Sequence, residues 1–121
     1  MKKDMSVFLK HILESIGKIE EFTKGVSKKD FLDSVQLQDA VIRRIEIIGE
    51  ATKNVPNGFR KKHSEVPWSE IARTRDKLIH GYFGVDFNLT WDIVKKDLPV
   101  LKKKVEKILK EIEETKDKKI S

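Results

Sequence analysis

The sequence predicts an all-α protein, an up-and-down four- to five-helix bundle formed by one domain. Apolar residues recur every three or four positions over long segments, Gly or Pro separates these segments, and none shows the alternation of a β-strand. The 121 residues are 38% hydrophobic and 38% charged, enough for one core but not for two. We expect the domain to occupy residues 1–115 and the tail at 116–121 to fray.

The first helix is predicted over roughly residues 4 to 24. Its apolar seam consists of Met5, Phe8, Ile12, Ile19 and Phe22, and it is widened by Leu9 and Ile16. Gly25 is a stop signal, and Ser27 is a candidate N-cap for the next segment.

The second helix is predicted to end near residue 54, with a short lead-in at KKDFLDS. Its apolar arc uses Val41, Ile45, Ile48 and Ala51. The following stretch, PNGFRKKHSEVP at 56–67, has a proline at each end and Asn-Gly inside, which predicts an exposed basic loop.

The third helix is predicted to open at Trp68 or Ser69 and to loosen at Gly81 or Gly84. A last helix runs from near Asn88 to about residue 115, and Pro99 should bend it because proline lacks a backbone donor. Its packing seam comprises Trp91, Val94, Leu98, Leu101, Val105, Ile108 and Ile112. Both tryptophans are interpreted as core anchors.

Composition excludes several classes of function. Cysteine is absent, so disulfides, thiolate zinc sites and cysteine nucleophiles are excluded, and the three histidines form no metal-ligand cluster. Polar residues interrupt the N-terminal segment, which is therefore not a signal peptide, and no transmembrane span is expected, which makes the cytoplasm the expected location. The net charge of +6 permits an anionic partner such as RNA, although a solvated face explains the Lys-rich last helix more simply.

The segment RDKLIHGYFG at 75–84 concentrates reactive side chains on the third helix. The apolar side of this helix is formed by Trp68, Ile71, Ala72, Leu78 and Ile79. Arg75 projects into the middle of that side, so it either pairs with an internal acid or lines a crevice that binds an anion. Asp76 and His80 form an i,i+4 pair, and Tyr82 lies within ~20° of the apolar side. Arg75 and His80 are ~140° apart on an ideal helix, so one helix does not bring them close together, whereas two copies facing each other across a two-fold axis could form one shared pocket.

The spacing Arg75, four residues, His80, one residue, Tyr82 is similar to the Arg-x4-His-x-Tyr signature of HEPN domains, in particular the HepT-like toxins. IGEAT at 48–52, VPW at 66–68 and GVDFNLTWDIVKKDLPVL at 84–101 also resemble that group. The resemblance covers residues 4–112. In many HEPN proteins Asn follows the Arg; here Asp76 stands there, and whether it acts on substrate or orients its neighbours stays open.

This resemblance implies a HEPN-like homodimer whose motif helices form a composite site, with Arg75 and His80 catalytic and Asp76 supporting. It also implies a metal-independent endoribonuclease toxin that needs no cofactor. The implied antitoxin is an MntA-like minimal nucleotidyltransferase that transfers AMP to Tyr82. The chemistry suits the residues, because His80 can act as base or acid and Arg75 can bind phosphate oxygens.

Two other interpretations stay open. The chain could be a non-catalytic HEPN dimer that binds RNA or a nucleotide, or that tethers a nucleotidyltransferase. It could also be a structural bundle whose Lys-rich last helix contacts nucleic acid. The residues do not reveal which RNA is cut or at what sequence.

Overall fold

The computed structural model describes the backbone of residues 5–79 and 85–120, with all their side chains except those at positions 5, 75–77, 79 and 116–120. Within these ranges there are helices and turns but no strand, which confirms the all-α bundle. The elements are α1 (Met5–Thr23), α2 (Lys28–Asp33), α3 (Val35–Lys53), α4 (Asn57–Lys62), α5 (Trp68–Ile79), α6 (Phe87–Asp92), a π-helical segment (Ile93–Asp97) and α7 (Leu98–Ile120).

The core lies between α1, α3, α5 and α7. Helix α1 packs against α3 and α7, and α3 packs against α5. The centre of the α1 seam differs from the prediction, because Leu9 and Ile16 are at most 1% exposed whereas Phe8 and Phe22 are only half-buried. The seam of the last helix is confirmed from Trp91 to Ile108, and Trp68 is buried as predicted.

The connection after α1 follows the predicted signals. Gly25 has a φ of +71°, the left-handed conformation that glycine adopts without strain. The Ser27 hydroxyl accepts a hydrogen bond from the Asp30 amide at 3.1 Å and caps α2. The predicted lead-in forms a separate helix, α2. The next helix, α3, begins after Ser34 because the Ser34 hydroxyl accepts a hydrogen bond from the Leu37 amide and caps the new helix.

The loop predicted at 56–67 is partly wrong, because it contains α4. The Arg60 amide donates to the Pro56 carbonyl at 3.0 Å, so the Asn-Gly pair occupies the first helical turn rather than a reverse turn. His63, predicted as part of an exposed loop, is only 8% exposed because its ring packs against Phe59 at a centroid distance of 4.5 Å. Tertiary packing has overridden the local turn signal.

The last helix starts where Asp86 caps α6, with its carboxylate accepting from the Leu89 amide at 3.0 Å. A π-helical segment at Ile93–Asp97 precedes Pro99, which is the second residue of α7, and the bend expected at Pro99 stays a prediction. Wider π-type hydrogen bonding is one way for a helix to accommodate a missing donor. The helical backbone continues to Ile120, beyond the predicted end. No helix in the described part of the chain is long and apolar enough to cross a membrane.

Candidate functional site

The predicted site residues are divided between α5 and the segment after it. Arg75 and Asp76 belong to α5 (Trp68–Ile79), although their side chains lie outside the described residues. His80 and Tyr82 lie outside the described residues altogether. The convergence of these four residues therefore stays a prediction, and the described residues define the surroundings of the motif.

Helix α5 is held on the bundle by its apolar face. Leu78, three residues after Arg75, is 1% exposed, and Trp68 at the helix start is 4% exposed. Ile71 is half-buried and packs against the core, whereas Arg73 is exposed on the outside. This amphipathic arrangement confirms the apolar side predicted for the third helix and fixes the backbone that carries the first half of the motif.

The start of α5 is anchored through α4 and the loop that follows it. The Trp68 indole Nε1 donates to the His63 carbonyl at 3.0 Å, and the Phe59 ring meets the Trp68 ring edge-on at 6.2 Å. Burying an indole N–H without a partner would cost free energy of desolvation, and this hydrogen bond avoids that cost. The position of the motif helix therefore depends on α4.

The side chain of Arg60 joins α4 to the end of α3. Its Nε donates to the Val55 carbonyl at 2.9 Å and its Nη2 donates to the Thr52 carbonyl at 2.7 Å. Thr52 lies in the last turn of α3, where carbonyls lose their usual amide partners, and Val55 lies two residues past the end of that helix. One guanidinium can bind both carbonyls at once because its donors form a fork. Sequence reasoning missed this clamp because the two acceptors are backbone atoms, which residue types do not reveal.

A basic cleft lies where α4 and its following loop meet the start of α5. It has a volume of about 490 Å³. Its exposed polar lining comprises Asn57, Lys61, Ser64, Ser69, Glu70 and Arg73. We call it the α4–α5 cleft.

An apolar cleft of about 270 Å³ lies on another side of α5, between α3 and α7. Ile45, Ile71 and Leu101 contribute to its floor, and Glu70 and Lys104 are among the charged groups at its edge. A mostly apolar lining offers little to a polyanion. Of the two clefts beside α5, the α4–α5 cleft therefore has the chemistry that suits phosphate groups.

Metal-ligand groups do not cluster in the part of the chain that the structure describes, where no set of three His, Asp or Glu side chains could hold an ion. His63 has Glu65 beside it, with Nδ1 and Oε1 3.5 Å apart, and no third ligand joins them among the described residues.

The chain is similar to known ribonuclease-family sequences along most of its length. The family model described as "Ribonuclease HepT-like" matches residues 12–108. A Thermococcus cleftensis protein named "Probable ribonuclease HepT" is 54% identical over 110 residues, which are 91% of this chain and 100% of that protein.

A longer relative from Methanocaldococcus jannaschii is named "Gamma-glutamylcyclotransferase and putative RNase". It is 56% identical over 119 residues, which are 98% of this chain. The chain spans about half of that protein, 54% of its length. No solved structure matches the chain significantly.

Proposed function

Since the chain belongs to the HepT-like ribonuclease family, we propose that it is an endoribonuclease that acts as the toxin of a toxin–antitoxin pair. The observation that carries this proposal is the Arg75–His80–Tyr82 signature within a family match that spans residues 12–108. The relatives' names, which include "Probable ribonuclease HepT", support the same activity.

The motif residues can cleave RNA by transferring the phosphate within the strand. The 2′-oxygen attacks the neighbouring phosphorus, the bond to the 5′-oxygen breaks, and a 2′,3′-cyclic phosphate is left. His80 takes the proton of the 2′-hydroxyl or supplies the proton of the leaving oxygen, and the guanidinium of Arg75 stabilises the charge on the phosphorane. Asp76 orients the imidazole of His80 or favours its charged form.

A homodimer would bring two copies of the motif to one pocket. One imidazole would then act as base and the other as acid, which one copy cannot provide alone. The spacing supports this, because Arg75 and His80 lie on different sides of an ideal helix, ~140° apart.

The proposed antitoxin is a minimal nucleotidyltransferase that modifies Tyr82. The phenolic oxygen attacks the α-phosphorus of ATP, pyrophosphate leaves, and the phenolic proton is lost to solvent. The attached AMP adds bulk and negative charge beside the catalytic groups and so excludes RNA.

The test of catalysis compares the wild type, His80→Ala and the control His11→Ala on single-stranded RNA. His11 is exposed on α1, so His11→Ala also replaces a histidine with alanine but leaves the motif residues unchanged. We expect His80→Ala to abolish cleavage while the helical content stays unchanged, and the wild type to release 2′,3′-cyclic phosphate ends in the presence of a chelator. If His80→Ala cleaves as fast as the control, the assignment is wrong.

The shared pocket can be tested by subunit exchange between wild type and His80→Ala protomers. If one pocket needs both imidazoles, activity follows the square of the wild-type fraction, about one quarter at equal amounts. If each protomer works alone, activity follows that fraction linearly. A linear result contradicts the composite site but not ribonuclease activity.

Modification of Tyr82 can be tested by mass spectrometry of the chain, made alone and with its genomic neighbour. Tyr82 is the only tyrosine, so an AMP-sized addition on a tyrosine identifies this residue. The addition should disappear in Tyr82→Phe. An addition that persists in that variant points to another acceptor, and none in either sample favours the non-catalytic dimer or inhibition by simple binding.

A further inference from the structure

The cationic groups at the α4–α5 cleft form no ion pairs with the acids whose side chains the structure describes. Lys61 and Arg73 line the cleft and Lys62 ends α4, and none forms an ion pair with another described residue. Glu70 is the acid among the described lining residues. Among the described residues the cleft therefore has an excess of positive charge, which attracts an anion.

The lining also determines which part of a nucleic acid this cleft can contact. Trp68 is 4% exposed and Phe59 is half-buried against His63, so neither offers a free face for base stacking. The remaining polar groups are the Ser64 and Ser69 hydroxyls and the Asn57 amide. Hydroxyls, amides and cations are the groups that contact phosphates and sugars, whereas unstacked bases need exposed aromatic planes.

The cleft is formed in part by α5, the helix that carries the first half of the motif. Ser69 precedes Asp76 by seven residues, so the two positions lie on the same face of α5, about 10 Å apart along the helix axis at 1.5 Å per residue. A strand that crosses the cleft can therefore extend to the motif within a short distance.

We propose that the α4–α5 cleft binds the sugar–phosphate backbone of single-stranded RNA through Lys61 and Arg73 and guides the strand to the motif on α5. This inference rests on the proposed function, because the RNA is taken to be the substrate. The contacts are independent of base identity, so the cleft contributes affinity and register rather than sequence preference.

The test is the affinity of the full chain for a fluorescent 2′-O-methyl RNA of about ten nucleotides, within the range of single-strand site sizes. This probe cannot be cleaved by 2′-oxygen attack, so binding is measured whether or not the chain is a nuclease. Lys61→Gln/Arg73→Gln is expected to bind about tenfold more weakly at low salt, equally for probes of different base composition.

The matched control is Lys29→Gln/Lys107→Gln, which removes two exposed lysines on α2 and α7 and the same total charge. Each lost contact should lower the magnitude of the salt slope of log K by about 0.7, so the roughly tenfold affinity difference between wild type and cleft variant should shrink toward one as the salt concentration is raised. Glu70→Gln, which removes the opposing acid, should bind roughly threefold more tightly. Equal losses in the cleft and control variants overturn the proposal, as does a wild type that binds no RNA.

Cleavage of an all-ribose strand separates this inference from the proposed function. If the wild type does not cleave but the cleft variant loses binding, the proposed function fails and the RNA-binding cleft stands. If the wild type cleaves and the cleft variant matches the control in binding and in kcat/KM, the cleft proposal is wrong and the ribonuclease stands. If the cleft variant keeps its RNA affinity but loses a protein partner on co-purification, the surface belongs to that protein.

Discussion

The guanidinium of Arg60 fastens α4 to the end of α3, and replacing it with glutamine should destabilise the fold. Two hydrogen bonds are lost, from Nε to the Val55 carbonyl at 2.9 Å and from Nη2 to the Thr52 carbonyl at 2.7 Å. The Thr52 side chain is fully buried, so its carbonyl has little access to replacement water. Helix α4 in turn supports Trp68 at the start of α5.

The expected loss follows from the number and type of these bonds. Hydrogen bonds from charged donors contribute about 1.5–3 kcal/mol each. Arg60 is only half-buried, so solvent screens part of its charge and we expect Arg60→Gln to lower the free energy of unfolding by about 2 kcal/mol. At roughly 4 °C per kcal/mol for a chain of this size, the melting temperature should fall by about 8 °C.

The assay is thermal and urea unfolding, followed by circular dichroism at one fixed protein concentration, because a dimer's stability depends on concentration. Lys61→Gln is the control, since Lys61 is exposed and makes no ion pair with another described residue. Its stability should change by less than about 0.5 kcal/mol. Arg60→Lys should fall in between, because an ammonium cannot reproduce the forked geometry.

One result would refute this reasoning. If Arg60→Gln unfolds at the same temperature as Lys61→Gln but binds RNA much more weakly than the wild type does, the guanidinium does not form the two hydrogen bonds to these carbonyls in solution. Arg60 would then contact RNA phosphates, and other interactions would hold α4 in place between α3 and α5.

Three further substitutions test contacts elsewhere in the bundle. Phe31→Ala should lower the free energy of unfolding, measured in urea, by about 3–5 kcal/mol. The ring of Phe31 is fully buried, and its centroid lies 5.3 Å from that of Trp91 and 6.3 Å from that of Phe87, so a loss below about 1 kcal/mol would contradict this packing. Gln38→Ala should lower the free energy of unfolding by about 1–3 kcal/mol in the same assay, because the Gln38 side-chain amide donates to the Phe31 and Leu32 carbonyls at 3.0 Å. Unchanged stability would mean that water satisfies these carbonyls in the variant. Lys102→Ala should change the melting temperature by at most a few degrees, because its bond to Glu20 at 3.0 Å is exposed, and a larger fall would show a cooperative network there.

Much of the fold was predictable because its signals are local. The buried seam from Trp91 to Ile108 could be predicted from the helical period alone. Gly25 acts through its own backbone conformation, and Ser27 acts through a hydrogen bond to the first turn of α2. Helix α4 was missed because Asn57-Gly58 is a local turn signal that the packing of Phe59 overrides.

The candidate site divides in the same way. The Arg75, His80 and Tyr82 signature is a spacing, visible in the residues alone, and it led to the family that the comparisons confirm. Whether these side chains converge depends on contacts that no spacing contains, and that convergence stays a prediction. The sequence could not distinguish Arg60, which binds backbone carbonyls at the end of α3 and just after it, from the exposed Lys61, since both are basic residues of one short segment.

The sequence by itself determined the long helices, most of their apolar faces and the family, because periodicity, capping residues and motif spacing depend on neighbouring positions. Only the tertiary structure decided that His63 is buried, that Arg60 binds the end of α3 and that Lys61 and Arg73 share one cleft. These features depend on which segments meet in space, and residues far apart in the chain meet only when the core packs.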